Sequence, residues 1–572
     1  MKEKINIKER EQITGSEAII LSLLNEGVED MFGYPGGQIM PAFDALYDYQ
    51  EQMNHYLTRH EQGAIHAAQG YARVTGKVGV VMVTSGPGAT NLVTGIADAM
   101  IDSTPLVCIT GQVPTGLLGS DAFQETDVVG ITMPVTKWSC QITSPEDIAP
   151  TIAKAFYLAK TGRPGPVVLD ITRTAQIGKI DFKYKKCTSV RSYLPYPIPN
   201  QKQVDDAAAL INKAKKPFVI FGQGVILGQA EAELKAFLEK SGIPAAWTIL
   251  GLSALPSDHP LNVGMLGMHG NYGPNIKTNE CDVLIAIGLR FDDRITSDLS
   301  RYAKQAKVIH LEIDPAEINK NVKIDVHVLG NVKATLPMLT EKVKENTHKS
   351  WIKEFHDAYK IEYDKIIKDS LYATTGGITM GEVIRRLTDA TKGEAIAVTD
   401  VGQNQMFATR YFKFNHTRSM VTSGGLGTMG FGLPASIGAK IGAPKRTVIA
   451  IVGDGGLQMT IQELGTILQS NIAVKIVLLN NEFLGMVRQW QELFWKKRYS
   501  ETKMINPDFM KIAEAYNIKS CKVEKREELD KAIESMLKTD GPFLLEVKIE
   551  KEDNVFPMVP AGASVSDVLL GK

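Results

Sequence analysis

The chain has 572 residues, of which 44% are hydrophobic and 22% charged, with Lys+Arg and Asp+Glu balanced at 64 each. That length is too great for one core and predicts three or four units at roughly 150 residues apiece. The neutral balance argues against nucleic acid or an anionic membrane as partner.

The opening "MKEKINIKEREQ" lacks the apolar core of a signal peptide. Cys108, Cys140, Cys187, Cys281 and Cys521 are scattered and free of CxxC spacing, which fits reduced thiols in a cytoplasmic protein rather than a disulfide frame or zinc site. Short apolar runs then recur, each followed by a Gly-rich or polar turn and a helix-like segment. In chain order they include "KVGVVMVTSGPG", "TPLVCITGQ", "GPVVLDIT", "KPFVIFGQG", "CDVLIAIG", "KVIHLEID", "EAIAVTDVG", "RTVIAIVGDG" and "VKIVLLNN". Strands this apolar are buried on both faces. Their alternation with helices predicts an α/β protein of three doubly wound parallel-sheet domains. Residues 78–97 and 421–439 carry no charge over nearly a spanning length. Gly, Pro, Ser and Thr interrupt both, so each is expected to be strand, glycine turn and buried helix rather than a membrane span. Composition shifts at 179–203 and 340–375 divide the chain into units 1–185, 186–340, a linker 341–375, and 376–572.

Several motifs carry chemistry. "RHEQGAIHAAQGYARVTG" places Glu61 on the first turn of a predicted helix, where an acid favours the helix dipole. His60 and His66 are six apart and face different sides, so this is no HExxH metal site. "FGQGVILG" (221–228) follows a strand with closely spaced glycines, read equally well as a nucleotide contact or a tight turn. "RFDDR" (290–294) reads by itself as a surface salt-bridge loop. "GLGTMG" (425–430) fits GxGxxG but lacks a strong preceding strand and a ribose-binding acid about 20 residues on, which speaks against a dinucleotide fold. "GDG" (453–455) and "NN" (480–481) each end a predicted strand. Alone, GDG reads as a turn and NN as a strand terminator; together at this spacing, Asp454, Asn481 and a backbone carbonyl near Phe483 would supply the hard oxygens that Mg²⁺ takes with phosphate and water. Trp490 in "RQWQELFW" reads alone as a core or interface aromatic.

GDG followed by NN resembles the signature of the thiamine diphosphate enzymes, and "TSGPGATN" (84–91) is similar to their ring-side loop. Within these, the chain resembles the catalytic subunits of the acetohydroxyacid (acetolactate) synthases along nearly its full length. The resemblance is carried by "YPGG" (34–37), "GQVP" (111–114), "DAFQETD" (121–127), "GRPGPVVLD" (162–170), "MLGMHG" (265–270), "RFDDR", "GMVRQWQELF" (485–494) and "VFPMVPAGAS" (555–564).

The resemblance implies that Glu61 contacts the cofactor's aminopyrimidine and, with Gln124, is catalytic. It implies a Mg²⁺ ion on Asp454, Asn481 and Phe483. Thiamine diphosphate contacts carry over to Pro87, Asn91, Gln403, Asn404, Gly427, Met429, Gly455 and Gly456, with Met429 beneath the thiazolium. An FAD without net redox chemistry is implied in the middle unit. Its contacts carry over to Arg163, Gly222, Gly224, Thr248, Leu266, Gly267, Met268, His269, Gly288, Arg290, Asp292, Glu312 and Asn331. Gly37, Phe123, Arg294, Met486 and Trp490 would line the substrate path, Trp490 favouring 2-ketobutyrate over pyruvate. The units become a pyrimidine-binding domain (1–185), an FAD domain (186–340) and a diphosphate/Mg domain with its tail (376–572).

The implied reaction decarboxylates pyruvate and joins the remaining unit to a second 2-keto acid, giving 2-acetolactate or 2-aceto-2-hydroxybutyrate for branched-chain amino acid biosynthesis. Glu61 from one subunit would meet Asp454 and Asn481 of its neighbour in a homodimer or homotetramer, with a small regulatory subunit as a further partner. A pyruvate oxidase on the same cofactors is the nearest alternative. The chain departs from the pattern in four places. Ile171-Thr172-Arg173-Thr174 stands where Pro-Lys-Asp is common, Asn404 where His is usual, and Glu312 and Asn331 where Asp is frequent. Asn404 keeps the ability to donate a hydrogen bond to a diphosphate but not to become cationic.

Overall fold

A computed structural model describes residues 8–571. The expectation about the chain's opening falls largely on residues 1–7, outside the described residues. The apolar runs form three six-stranded sheets in which every neighbouring pair is parallel. Most central strands are buried on both faces, as their lack of alternation requires.

The first sheet runs Asn54–Leu57, Asp30–Tyr34, Gly79–Val83, Leu106–Gln112, Pro166–Thr172, Trp138–Ile142. The third runs Met420–Val421, Ile396–Thr399, Val448–Gly453, Lys475–Asn480, Phe543–Lys548, Lys519–Val523. Counted along the chain, both have the order 2-1-3-4-6-5, whereas the middle sheet has 3-2-1-4-5-6. Each order reverses beside its first strand, and there the connections leave a crevice beyond the strands' carboxyl ends. In the middle sheet the reversal lies between Pro217–Phe221 and Val283–Ile287.

The helices Glu61–Thr75 and Gly432–Gly442 each join the second strand of their sheet to the third, and they pack directly on each other. Glycine permits the approach. A Cβ on Gly70 would lie 1.9 Å from the Ala435 carbonyl oxygen, and one on Gly438 would lie 1.7 Å from that of Ala67. The first and third units are thereby locked back to back within one chain.

The two segments read as linkers, 179–203 and the charged 340–375 with its expected surface helix, both contribute to packed cores. Lys179–Lys183 pairs antiparallel with Glu9–Thr14 and buries Phe182. Within 341–375, the helix Lys349–Glu362 buries Trp351 and Phe355 in the middle unit's core, and Trp351 Nε1 donates to the Pro217 carbonyl at 2.8 Å. Its charged composition masks one apolar face. Among the described residues all five cysteines are free, and no helix is long and apolar enough to cross a membrane.

Candidate active site

The strand Val448–Gly453 passes at once into the helix Asp454–Met459, and its neighbour Lys475–Asn480 ends in register, Gly453 opposite Leu479. Asp454 and the paired asparagines therefore leave adjacent central strands at the same end. Asp454 is buried, and its Oδ2 accepts from Asn506 Nδ2 at 2.7 Å. Burial pushes its carboxyl up to about 6, because its strongest partner, the neutral Asn506 amide, brings no countercharge. A carboxylate so placed fits a bound cation. Asn481 Oδ1 accepts from the Phe483 N–H at 3.1 Å, and its Nδ2 donates to Gln403 Oε1 at 3.3 Å. Among the described residues no three His, Cys, Asp or Glu side chains gather as for a metal. The donor set is one carboxylate with amide and carbonyl oxygens, the chemistry that suits Mg²⁺ rather than zinc.

Gly455 and Gly456 open the helix N-terminus. A Cβ on Gly456 would fall 2.3 Å from Asp400 Oδ1, and one on Gly455 would meet Leu484 at 2.7 Å and Met429 Cε at 3.6 Å. Asn404 differs from expectation in detail. Its Nδ2 donates to the carbonyls of Asp400 (3.0 Å) and Ile451 (2.9 Å), so the side-chain donor expected to reach a diphosphate is already engaged, and the remaining Oδ1, an acceptor, cannot replace it.

In the first sheet, Glu61 opens its helix as expected, with His60 as cap. Asn91 Nδ2 donates to Glu61 Oε2 at 2.9 Å. A Cβ on Gly86 would touch the Gln124 backbone at 2.8 Å, which brings the 121–127 loop beside the glycine turn that precedes Pro87. Gly37, Pro87 and Phe123 are exposed here, Phe123 at 82%. Tyr34 and Met40, on either side of the YPGG turn, add exposed apolar surface at this end of the sheet. Among the described residues no hydrogen bond or ion pair joins the Glu61–Asn91 pair to Asp454 or Asn481.

The residues expected to contact a flavin and three of those expected along a substrate path, Arg294, Met486 and Trp490, converge instead. One cavity of about 820 Å³ is lined by Arg163, Gly224, Thr248, Leu266, Gly267, Met268, His269, Gly288, Arg290, Asp292, Glu312 and Asn331, and equally by Arg294, Gly427, Met429, Met486 and Trp490. It lies at the middle sheet's reversal point. There the Gly224 N–H donates to the Gly288 carbonyl at 2.8 Å, and Gly288 has φ +56, a backbone that glycine permits. Gly222, expected in the same set, packs beneath, its N–H donating to the Ile287 carbonyl at 3.0 Å. His269 Nδ1 is buried without a partner, an orphan that fits a ligand's polar edge. Burial, then Arg410 and Arg294, holds that imidazole neutral, down at about 3. Glu312 Oε1 accepts from the Ile313 and Asp314 N–H groups, and Asn331 caps the helix Val332–Lys342. Arg173, by contrast, is exposed at the start of the helix Arg173–Ile177.

Sequence reasoning missed several residues. Asn506 bonds both Asp454 and Asn480 Oδ1 (3.0 Å) from a loop with no motif. Asp400 accepts from the Gly430 and Gly432 N–H groups and shapes the turn that carries Met429. The same 423–428 loop is pinned from the first unit. Asp102, paired with Arg73 at 2.8 Å, accepts from the Gly424 and Gly425 N–H groups, and Asp98 bonds Ser423 and Thr428. Spacing gives no sign of contacts between units so far apart in sequence.

Comparison with known proteins matches three families. Thiamine pyrophosphate enzyme, N-terminal TPP binding domain, covers residues 13–131; the central domain of the same enzymes covers 204–339; and the C-terminal TPP binding domain covers 400–547. The acetolactate synthase isozyme 2 large subunit of Escherichia coli K12 is 44% identical over 558 residues, covering 97% of this chain and 99% of its own length. A probable acetolactate synthase large subunit of Methanocaldococcus jannaschii is 44% identical over 570 residues, covering 97% and 95%. The acetolactate synthase large subunit of Corynebacterium glutamicum is 44% identical over 572 residues, covering 98% and 90%.

Proposed function

We propose, from the premise that the chain belongs to the thiamine pyrophosphate enzymes and within them to the acetolactate synthase large subunits, a division of labour among its own residues. The enzyme is a thiamine diphosphate-dependent acetolactate synthase. Its substrates are pyruvate and a second 2-keto acid, pyruvate or 2-ketobutyrate, and its products, 2-acetolactate and 2-aceto-2-hydroxybutyrate, feed branched-chain amino acid biosynthesis in the cytoplasm.

Bound thiamine diphosphate supplies the electron sink for loss of CO₂ and for carbon–carbon bond formation. Asp454, Asn481 and the Phe483 carbonyl would hold Mg²⁺, and Gly455 and Gly456, with the main-chain N–H groups of Gln403 and Asn404 rather than their engaged side chains, would seat the diphosphate. Glu61 holds and moves the proton at the aminopyrimidine ring, and Asn91, at 2.9 Å, fixes its carboxylate. Pro87 and Gln124 border that ring. Gly427 and Met429 support the thiazolium side. The middle unit holds FAD through the cavity residues from Arg163 to Asn331, with Gly222 beneath. Arg294, Met486 and Trp490 shape the second-substrate pocket on the cavity's other wall, and Gly37 and Phe123 border its entrance from a second chain. The units run 1–185, 186–340 and 376–572, joined by 341–375. The exposed Tyr34, Met40 and Phe123 support a homodimer or homotetramer in which Glu61 of one chain meets Asp454 and Asn481 of its neighbour. The relatives' designation as large subunits supports a small regulatory partner.

The observation that carries the flavin reading is the single cavity in which middle-unit glycines and the orphaned His269 face Met429, Met486 and Trp490. To test the whole, purified protein is given pyruvate, Mg²⁺ and thiamine diphosphate, with and without FAD. Acetolactate, converted to acetoin by acid, is followed beside O₂. Acetolactate without stoichiometric O₂ loss is expected; O₂ uptake with acetate or acetyl phosphate would make the enzyme a pyruvate oxidase instead.

A further inference from the structure

Glu362 and Arg410 form an ion pair at 2.5 Å with both side chains fully buried. A buried pair of this kind is costly to desolvate and is weak evidence for added stability. What distinguishes it is the company it keeps. Glu362 ends the helix Lys349–Glu362, and Arg410 lies near the end of the helix Gln403–Tyr411 in the third unit. Between them runs the middle-unit loop 265–272, whose residues Leu266 to His269 line the cavity.

Both partners grip that loop. Arg410 Nη1 donates to the carbonyls of His269 (3.1 Å) and Gly270 (3.0 Å). Glu362 accepts from Asn271 Nδ2 at 3.0 Å and from the Tyr272 N–H at 2.7 Å. The loop needs an external hold, because Gly267 has φ +115 and the loop's chain reverses within a few residues. Its other anchors stop short of His269: Asn275 bonds the Gly267 N–H and carbonyl at 2.9 Å each, the Leu266 N–H donates to the Trp247 carbonyl, and Met268 bonds the Arg294 carbonyl and the Val559 N–H. Arg410 also contributes, after burial, to keeping His269 neutral, which leaves the unpartnered Nδ1 in a form able to meet a neutral ligand atom.

We propose that Arg410 and Glu362 are positioning residues for flavin, a clamp that joins the linker helix, the third unit and the 265–272 loop and so presents His269 and its neighbours to the cavity; this role rests on the flavin reading of that cavity. Neither residue lines the cavity itself. Their removal loosens the flavin wall while leaving the diphosphate side intact. Asn404, at the far end of the Arg410 helix, is held separately by the Asp400 and Ile451 carbonyls.

The test titrates FAD, by flavin fluorescence, into the full-length unaltered protein and into Arg410→Met, Arg410→Lys and Glu362→Gln. Mg²⁺-thiamine diphosphate is titrated separately by tryptophan quenching. Arg410→Met and Glu362→Gln are expected to weaken FAD by about tenfold or more, the scale of losing partners to buried polar groups. Lysine, with the charge but not the fork, falls between. Thiamine diphosphate affinity stays within about twofold, since the clamp lies outside its contacts. A parallel loss of both cofactors would mark general destabilisation and overturn the proposal, as would unchanged FAD affinity in the variants. Should Arg410→Met fail to fold, the near-isosteric Glu362→Gln decides the matter alone. Failure of the unaltered protein to bind FAD overturns the flavin reading itself, and the clamp's role with it. Normal binding by the unaltered protein and the variants alike overturns only the clamp.

Discussion

Replacing Gly438 by alanine separates two effects of opposite sign. In an exposed helix the change stabilises by about 1 kcal/mol, because alanine gives up less backbone freedom on folding. At Gly438 the new methyl would sit 1.7 Å from the Ala67 carbonyl oxygen, where real Cβ contacts are essentially never under 3.0 Å. The helices Glu61–Thr75 and Gly432–Gly442 must then part by more than about 1 Å, in an interior packed as densely as a crystal. Overpacking costs about 1–3 kcal/mol, and the upper end applies because the obstacle is main chain rather than a flexible side chain. The net expectation is a loss of about 2 kcal/mol, or about 4–8 °C in thermal midpoint for a unit of this size. Circular dichroism melts at fixed protein concentration measure it. Ser535→Ala, on the exposed face of the helix Leu529–Lys538, is the control and should move by no more than about 0.5 kcal/mol. Gly70→Ala, 1.9 Å from the Ala435 carbonyl, should cost a similar amount, and the double variant less than the sum, since helices once parted admit both methyls. A Gly438→Ala midpoint at or above that of the unaltered protein would refute the reasoning.

Glu61→Gln is expected to lower acetolactate formation by about 100-fold or more with FAD binding unchanged, as read by turnover beside flavin titration. Burial raises the Asp454 carboxyl to about 6, so a proton competes with the metal below that pH. The apparent affinity for Mg²⁺-thiamine diphosphate should fall about tenfold between pH 7 and pH 5, and a flat profile measured by tryptophan quenching would contradict it. Trp490→Leu should cut the preference for 2-ketobutyrate over pyruvate by about tenfold in competition assays that quantify both products, the scale of a reshaped apolar pocket.

The sequence made the third sheet's chemistry legible because the relevant letters are contiguous. Asp454 and Asn481 each terminate an unmistakable apolar run, and register does the rest by ending neighbouring strands together. The cavity residues were legible only through the resemblance, since Thr248, Glu312 and Asn331 carry no local pattern of their own. Asn506 escaped because a loop amide 52 positions from Asp454 has no spacing to betray it. Trp351 escaped because a buried stripe is hard to see in a segment dominated by Lys, Glu and Asp. Asn404 shows a subtler limit. The residue type told what it can donate, but only the fold reveals that the donor is spent on two carbonyls.

The back-to-back packing of the first and third units has an arithmetical consequence. On the proposed reading, in which Glu61 of one chain meets Asp454 of its neighbour, each chain carries two unlike half-sites. Dead Glu61→Gln protein and dead Asp454→Asn protein, mixed and allowed to exchange, should therefore rescue each other. In a mixed pair one site receives both intact acids and the other receives neither. With random exchange of equal amounts, about a quarter of all sites regain function, the share dictated by a twofold assembly. Complementation between two inactive alleles is thus the expected signature of a site shared between two chains.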